Sequence, residues 1–406
     1  MKVVIIGAGP AGVTVAETLR YYDTQIEIVM VSAEPYAPYS PPAMLASFTG
    51  GQELHFWKGE DFADRLGIDY RSGTEVQAVI PKDNNVRLSD NQALTYDILV
   101  LTTGARLYSP IEGQDKPGIY NLKSLSSVSE IFDKVHKKKA KNAIIVGAGF
   151  IGVETGVVLA DMGFNVTQLV RSRVLRLNVD TEISGIIQGV MQARGVNVIN
   201  GAEADAEAFV GNGRAEGVRT KSGIVHGADI IIAASGIKPN TEFLLDSPLK
   251  VESMGIPVDA YLRTNIPNIY AAGDVAVTPN RVTMEQMVHG NFPNAVAQGK
   301  TVAQNILGWD TFYDGSDAMN SLKHLGTGVM VVGQCQGEEE LVVRGDNTIR
   351  KIYLKDNRII GFCLVGDVRS AGIYRILMNR GDQISAFKDR LLLPGFGMGY
   401  ISSSVQ

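Results

Sequence analysis

The chain has 406 residues, 45% hydrophobic and 20% charged, with a formal net charge of −5 and a pI near 5.7. That length is too great for one compact core and suits two or three domains. The acidic balance argues against nucleic acid as the main partner, which needs a basic face.

The chain opens on the apolar run "KVVIIG". A strand starting there leaves no room for a signal peptide, and the expected home is the cytoplasm. The run continues as "VVIIGAGPAGVTVAETL", where Gly7, Gly9 and Gly12 stand between a β-branched strand pattern and a helix pattern. In that context the first Gly allows a tight turn, the second lets a pyrophosphate approach the backbone, and the third lets helix pack on strand. The N–H groups that open the helix then face the negative charge. Glu34 ends the next strand, "IEIVMVS", and a carboxylate there can accept both ribose hydroxyls of an adenosine.

Next comes "PYAPYSPPAMLASFTGG", Pro35 to Gly51, with Pro41, Pro42 and Ala43 where a thiol-dependent flavin enzyme might place a cysteine. His55 and Trp57 in "LHFWKGEDF" read as packing residues. "YDILVLTTGA", Tyr96 to Ala105, is a further apolar strand ending in a small-residue turn. The one dense basic patch, "KKKAK" from Lys137 to Lys141, reads as a solvated linker.

The opening motif then repeats. "AIIVGAGFIGVETGVVL" carries Gly147, Gly149 and Gly152, each 140 residues beyond its counterpart. The surrounding apolar stretch, Ala143 to Ala160, contains Glu154 and several glycines and is not a membrane span. A duplicated βαβ unit means two dinucleotides, naturally a flavin with a nicotinamide. The distal strand of the second unit, "NVTQLVRSRVLR", has no carboxylate near Val170 to take a ribose 2′-OH. Arg171, Arg173 and Arg176 could instead meet a 2′-phosphate through charge-assisted forks, or form a solvated loop, or face the adenine of an NAD site. The cofactor is thus left as NAD(H) or NADP(H).

"ADIIIAASG", Ala228 to Gly236, matches the earlier strand with its small-residue turn. "IPNIYAAGDVA" ends a third strand in Gly273 and Asp274, and Asp274 can bond a chain of sugar-like hydroxyls ahead of the helix "AVAQGKTVAQNIL". His289, just before that helix, either bonds the flavin edge or sits at a helix join. Phe150 could shield a nicotinamide pocket, and Phe396 and Tyr400 read mainly as core or interface packing. The only cysteines, Cys335 and Cys363, form no CxxC pair and lie in strand-like surroundings, as buried structural thiols do. No set of metal or iron–sulfur ligands is evident.

Together GAGPAG with Glu34, TTGA, GAGFIGVE, ASGIKPN and AAGD resemble the FAD-dependent pyridine nucleotide oxidoreductase superfamily. They run in that order over Lys2 to Gly308, and the tail resembles the NADH-oxidase and nitrite-reductase-like branch. The resemblance implies an α/β fold with two Rossmann-like dinucleotide-binding domains and a small α+β C-terminal domain. It divides the chain into a discontinuous FAD domain at 1–107 and 237–308, an NAD(P) domain at 108–236 and an interface domain at 309–406. It assigns Gly7, Gly9, Gly12, Glu34, Ala105, Arg106, Gly273 and Asp274 to FAD, with Asp274 on the ribityl chain. Gly147, Gly149, Gly152, Glu154, Arg171, Arg176 and Gly236 go to the nicotinamide cofactor, with Glu154 beside the nicotinamide. Oligomerisation through the tail is a further expectation.

Against thiol-using relatives, Pro42 stands where the sulfur would be; against "YSRPPLSK" of ferredoxin reductases, Pro41 replaces the Arg and Ala46 the Lys. Reduction of disulfides, peroxide and CoA-disulfides is therefore disfavoured, and electrons leave the flavin directly, in either direction. Three readings remain. The leading one is electron transfer between NAD(P)H and a separate redox protein or subunit of ferredoxin, rubredoxin or iron–sulfur type, within a larger complex. The others are a stand-alone oxidase making peroxide and a flavoprotein that uses NAD(P)H binding as a switch.

Overall fold

The computed structural model describes residues 1–45, 57–136, 140–346 and 348–402. Its elements, in chain order, begin with β1 (Lys2–Ile6), α1 (Pro10–Tyr22), β2 (Glu27–Val31), β3 (Asp69–Arg71), β4 (Ile98–Leu101) and α2 (Leu125–His136). There follow β5 (Asn142–Val146), α3 (Phe150–Asp161), β6 (Asn165–Val170), α4 (Thr181–Ala193), β7 (Val196–Asn200) and β8 (Ile230–Ala233). The last are β9 (Ile269–Ala271), α5 (Phe292–Ile306), β10 (Met319–Leu322), β11 (Gly328–Gly333), β12 (Glu339–Gly345), β13 (Thr348–Lys355), β14 (Arg358–Gly366) and α6 (Ala371–Arg380).

The chain forms two compact units, and each takes in three separate stretches of sequence. Unit 1 comprises Met1–Leu107, Asn121–Glu130 and Ile237–Ser316; unit 2 comprises Tyr108–Tyr120, Ile131–Gly236 and Asp317–Gln406.

Unit 1 is built on a parallel sheet ordered β9-β4-β1-β2-β3. Alternation along β1 gives the sheet two apolar faces. Val3 and Ile5 pack with Val13, Leu19 and Val302 of α1 and α5, while Val4 and Ile6 pack with Val79, Val86 and Leu88 of a small antiparallel sheet. All but Ile6 of these β1 residues are fully buried, each stabilising the fold by about 1.5–3 kcal/mol. A strand buried on both faces reads as an unbroken apolar run, which is why "VVII" shows no alternation.

Unit 2 repeats the plan. β7-β6-β5-β8 and the short strand Ile119–Tyr120 form a second parallel sheet. Each unit also carries a three-stranded antiparallel sheet in the sequence between its βαβ motif and the returning strand. The rest of unit 2 is a five-stranded antiparallel sheet, β10-β11-β14-β13-β12, with α6 packed on it. Phe396 is buried there, stacked on Tyr374, Phe387 and Tyr400. No helix among the described residues is long and apolar enough to cross a membrane.

Candidate functional site

At the end of β1 the chain turns sharply through Gly7, whose φ of +108° places it where only glycine is comfortable. Its amide donates to the Val31 carbonyl at 2.8 Å, and Thr102 Oγ1 donates to the Gly7 carbonyl at 2.9 Å. A side chain at Gly12 would strike the Gly7 carbonyl at 2.2 Å, so helix and strand meet only because neither residue has one. Gly9 differs. It caps α1 with ordinary extended dihedrals, and a Cβ there would meet nothing within 4 Å. Pro10 follows at the first helical position, and the first turn holds no acidic residue. Backbone N–H groups and the positive helix end thus face an open space next to Gly9, which is what a pyrophosphate requires.

The second cradle, after β5, has the same construction. Gly147 has φ +104°, its amide donates to Leu169, and Gly149 caps α3 with nothing within 4 Å of a Cβ. The brace differs: buried Gln168 donates from Nε2 to the Gly147 carbonyl at 2.9 Å, the task Thr102 performs in unit 1. The following loop is tied in as well, because the Leu175 amide donates to Ala148 at 2.9 Å. Arg173 is committed to the Val179, Asp180 and Arg176 carbonyls. Arg171 and Arg176 are exposed, and their guanidinium groups have no partner among the described residues.

Unit 1 places Glu34 beyond β2 in a dense set of donors. Its Oε1 accepts from Ser124 Oγ at 2.9 Å and from the amide and Oγ of Ser126 at 3.1 Å, and its Oε2 accepts from Tyr39 Oη. Burial first, then the adjacent carboxylate, pushes the Tyr39 phenol far up, so it stays a donor. Asp274, after β9, forms an ion pair with Lys123. The Gly273 amide donates to Gln298 Oε1 at 2.7 Å, which fixes the turn that carries Asp274. One short segment, Lys123 to Ser126, therefore reaches both carboxylates. The sequence reading did not find it.

Ala105 and Arg106 lie on the short strand Ala105–Tyr108, and the Arg106 guanidinium is taken up by Asn240 and Glu242. Gly236 opens the strand Gly236–Pro239. Glu154, on α3, accepts from the amides of Lys323 and His324. His289 is buried ahead of the α5 cap Asn291. Half-buried Trp57 packs edge-on against Phe292 at 4.9 Å, in keeping with the packing role expected of it.

Pro41–Ala43 form a short 3₁₀ turn; Ala46 and His55 lie outside the described residues, as does much of the Lys137–Lys141 run. Cys363 is buried in β14. Cys335 is only half-buried, two residues past β11, with its thiol donating to the Asn178 carbonyl. The expectation of two buried strand thiols thus holds for Cys363 alone, because β11 ends at Gly333.

Residues 1–299 match the family model described as pyridine nucleotide-disulphide oxidoreductase. An NADH oxidase of Methanocaldococcus jannaschii is 29% identical, covering 91% of this chain and 89% of the relative. An assimilatory nitrate reductase electron transfer subunit of Bacillus subtilis is 26% identical over 97% of this chain, which spans only 51% of that longer protein. Among solved structures, an NAD-dependent persulfide reductase from A. fulgidus superposes with a TM-score of 0.85 at 25% identity, covering 95% of this chain and 78% of the other.

Proposed function

Because the chain belongs to the pyridine nucleotide-disulphide oxidoreductase family, whose members bind FAD and NAD(P)H, we propose that it moves electrons between a nicotinamide cofactor and a separate redox protein or subunit. What carries this reading is the pair of open cradles at Gly9 and Gly149, each shaped for a pyrophosphate. Neither cysteine supplies a thiolate to carry electrons onward: burial pushes the Cys335 thiol up to about 11 and raises Cys363 further.

On this reading residues 1–107 and 237–308 form the FAD part, 108–236 the nicotinamide part and 309–406 an appended region. Gly7, Gly9 and Gly12 admit the FAD pyrophosphate. Glu34 takes the ribose hydroxyls, and Asp274, set by Gly273, takes the ribityl chain, with Ala105 and Arg106 nearby. Lys123 adds positive charge beside the carboxylates. Gly147, Gly149 and Gly152 admit the second pyrophosphate, Arg171 and Arg176 provide for a 2′-phosphate, Gly236 borders the cofactor, and Glu154 positions the nicotinamide. Bound FAD supplies the conversion between hydride and single-electron transfer, and the chain supplies position and electrostatics. The Bacillus subtilis relative, an electron transfer subunit, supports a partner in a larger complex. The NADH oxidase relative supports a second reading, reduction of oxygen.

NADH and NADPH consumption by the purified holoprotein, in air and with ferricyanide, separates the two. Slow turnover in air and fast turnover with ferricyanide is the expected result. Equally fast turnover in air alone would replace electron transfer with oxidase activity.

A further inference from the structure

Glu154 sits five residues beyond the α3 cap Gly149, one helical turn after Phe150. Two consecutive backbone amides, those of Lys323 and His324 (the latter at 3.2 Å), donate to its Oε1. They come from the turn just after β10, the first strand of the antiparallel sheet. Its Oε2 has no hydrogen-bond partner among the described residues. Consecutive N–H groups on one carboxylate oxygen form a small anion nest, and charge-assisted bonds of this kind hold a flexible side chain in one orientation. An unanchored Glu on a helix surface would lose rotamer freedom on meeting a ligand, whereas an anchored one has lost it already.

We propose that the Lys323–His324 turn is a positioning device for nicotinamide recognition. By occupying Oε1 it holds Glu154 and leaves Oε2 as the acceptor for the N–H₂ of the nicotinamide carboxamide. The antiparallel sheet thereby belongs to the cofactor site and is more than an appended fold. The inference rests on the assignment of the second cradle to the nicotinamide cofactor.

The donors are backbone groups, so the test is their removal. In the FAD-loaded protein, equilibrium titrations compare NAD⁺ or NADP⁺ with ADP-ribose or its 2′-phosphate, which keep the pyrophosphate and lack the nicotinamide ring. Lys323→Pro deletes one amide; Lys323→Ala keeps it. The expected result is that Lys323→Pro and Glu154→Gln each reduce the preference for the full dinucleotide roughly tenfold, with the double variant no worse than either single. Lys323→Ala should stay within about twofold of the parent.

Loss of preference in Glu154→Gln with none in Lys323→Pro overturns the positioning role. No loss in either variant overturns the placement of Glu154 at the nicotinamide, a separate failure. Should Lys323→Pro also weaken ADP-ribose, amide exchange decides without it. Exchange at Lys323 and His324 should quicken about tenfold in Glu154→Ala, and unchanged exchange sinks the proposal.

Discussion

Lys123 and Asp274 form an ion pair between residues 151 apart in sequence, with each side chain only 17% exposed. The pair and the Glu34 hydrogen bonds fasten one segment over two carboxylates that the FAD reading needs. In Lys123→Met, Asp274 keeps its charge and loses its counter-ion, at a cost of about 2 kcal/mol, between the exposed and fully buried cases. Melting of the apoprotein checks the stability loss, and fluorescence of released flavin checks an accompanying fall in FAD affinity of roughly tenfold. An unchanged melting temperature would show that the pair does not hold the segment.

Gly7 and Gly9 are two residues apart and should respond oppositely to alanine. A Cβ at Gly7 would lie 2.3 Å from the Thr102 carbonyl, at a φ that L residues avoid, so Gly7→Ala should lose about 3 kcal/mol of stability. At Gly9 nothing stands in the way, and Gly9→Ala should melt like the parent and bind FAD poorly. Normal FAD binding by Gly9→Ala would remove the cradle from the FAD site.

Arg171 and Arg176 are exposed and have no partner among the described residues, while Arg173 is spent on three carbonyls. Arg171→Ala and Arg176→Ala should each cut kcat/KM for NADPH about tenfold, or about 1.4 kcal/mol, and leave NADH nearly unchanged. Equal losses for the two nucleotides would make these arginines general contacts.

Lys351 is 5% exposed and meets Asp180 at 2.6 Å, Glu182 at 2.9 Å and Glu340 at 3.1 Å. Burial alone would lower its ammonium; the carboxylates outweigh burial and raise it. Arg344 first, then Lys351, holds the Glu182 carboxyl down at about 2. A depressed carboxyl contributes stability above its ordinary value of 4.5, and that contribution disappears as pH falls from there through about 2. Lys351→Met should cost about 1 kcal/mol at neutral pH, because the three carboxylates it leaves are partly exposed and Glu182 keeps Arg344. Its melting temperature should then fall less steeply than the parent's between those pH values.

Both thiols are held protonated at neutral pH, Cys335 at about 11 by burial and by Asp180 nearby. The double variant Cys335→Ser with Cys363→Ser should therefore keep turnover with ferricyanide within about twofold. A large loss would bring a sulfur back into the electron path.

What was legible in the sequence is what recurs locally. The cradle glycines, the apolar strands and the Gly273–Asp274 turn announce themselves within a dozen residues, since each depends on short-range geometry. Lys123, Ser124 and Ser126 act some 90 to 150 residues from their partners, and no local pattern marks them. Gln168 was hidden because it does in unit 2 what a threonine does in unit 1, so the duplication does not extend to its braces. Lys323 and His324 act through backbone amides, which leave no trace in residue type.

The route of the chain through unit 1 has a consequence for biosynthesis. β4 lies inside the finished sheet, yet its outer neighbour β9 is translated about 170 residues later. At roughly 5–20 residues per second, the backbone edge of Ile98–Leu101 waits roughly ten to thirty seconds for its partner. Throughout that interval a nascent chain presents an unpaired apolar strand, the kind of edge that recruits other strands. Slower translation beyond Leu101 prolongs the exposure and should lower the yield of folded protein, and shielding of that edge at the ribosome should raise it.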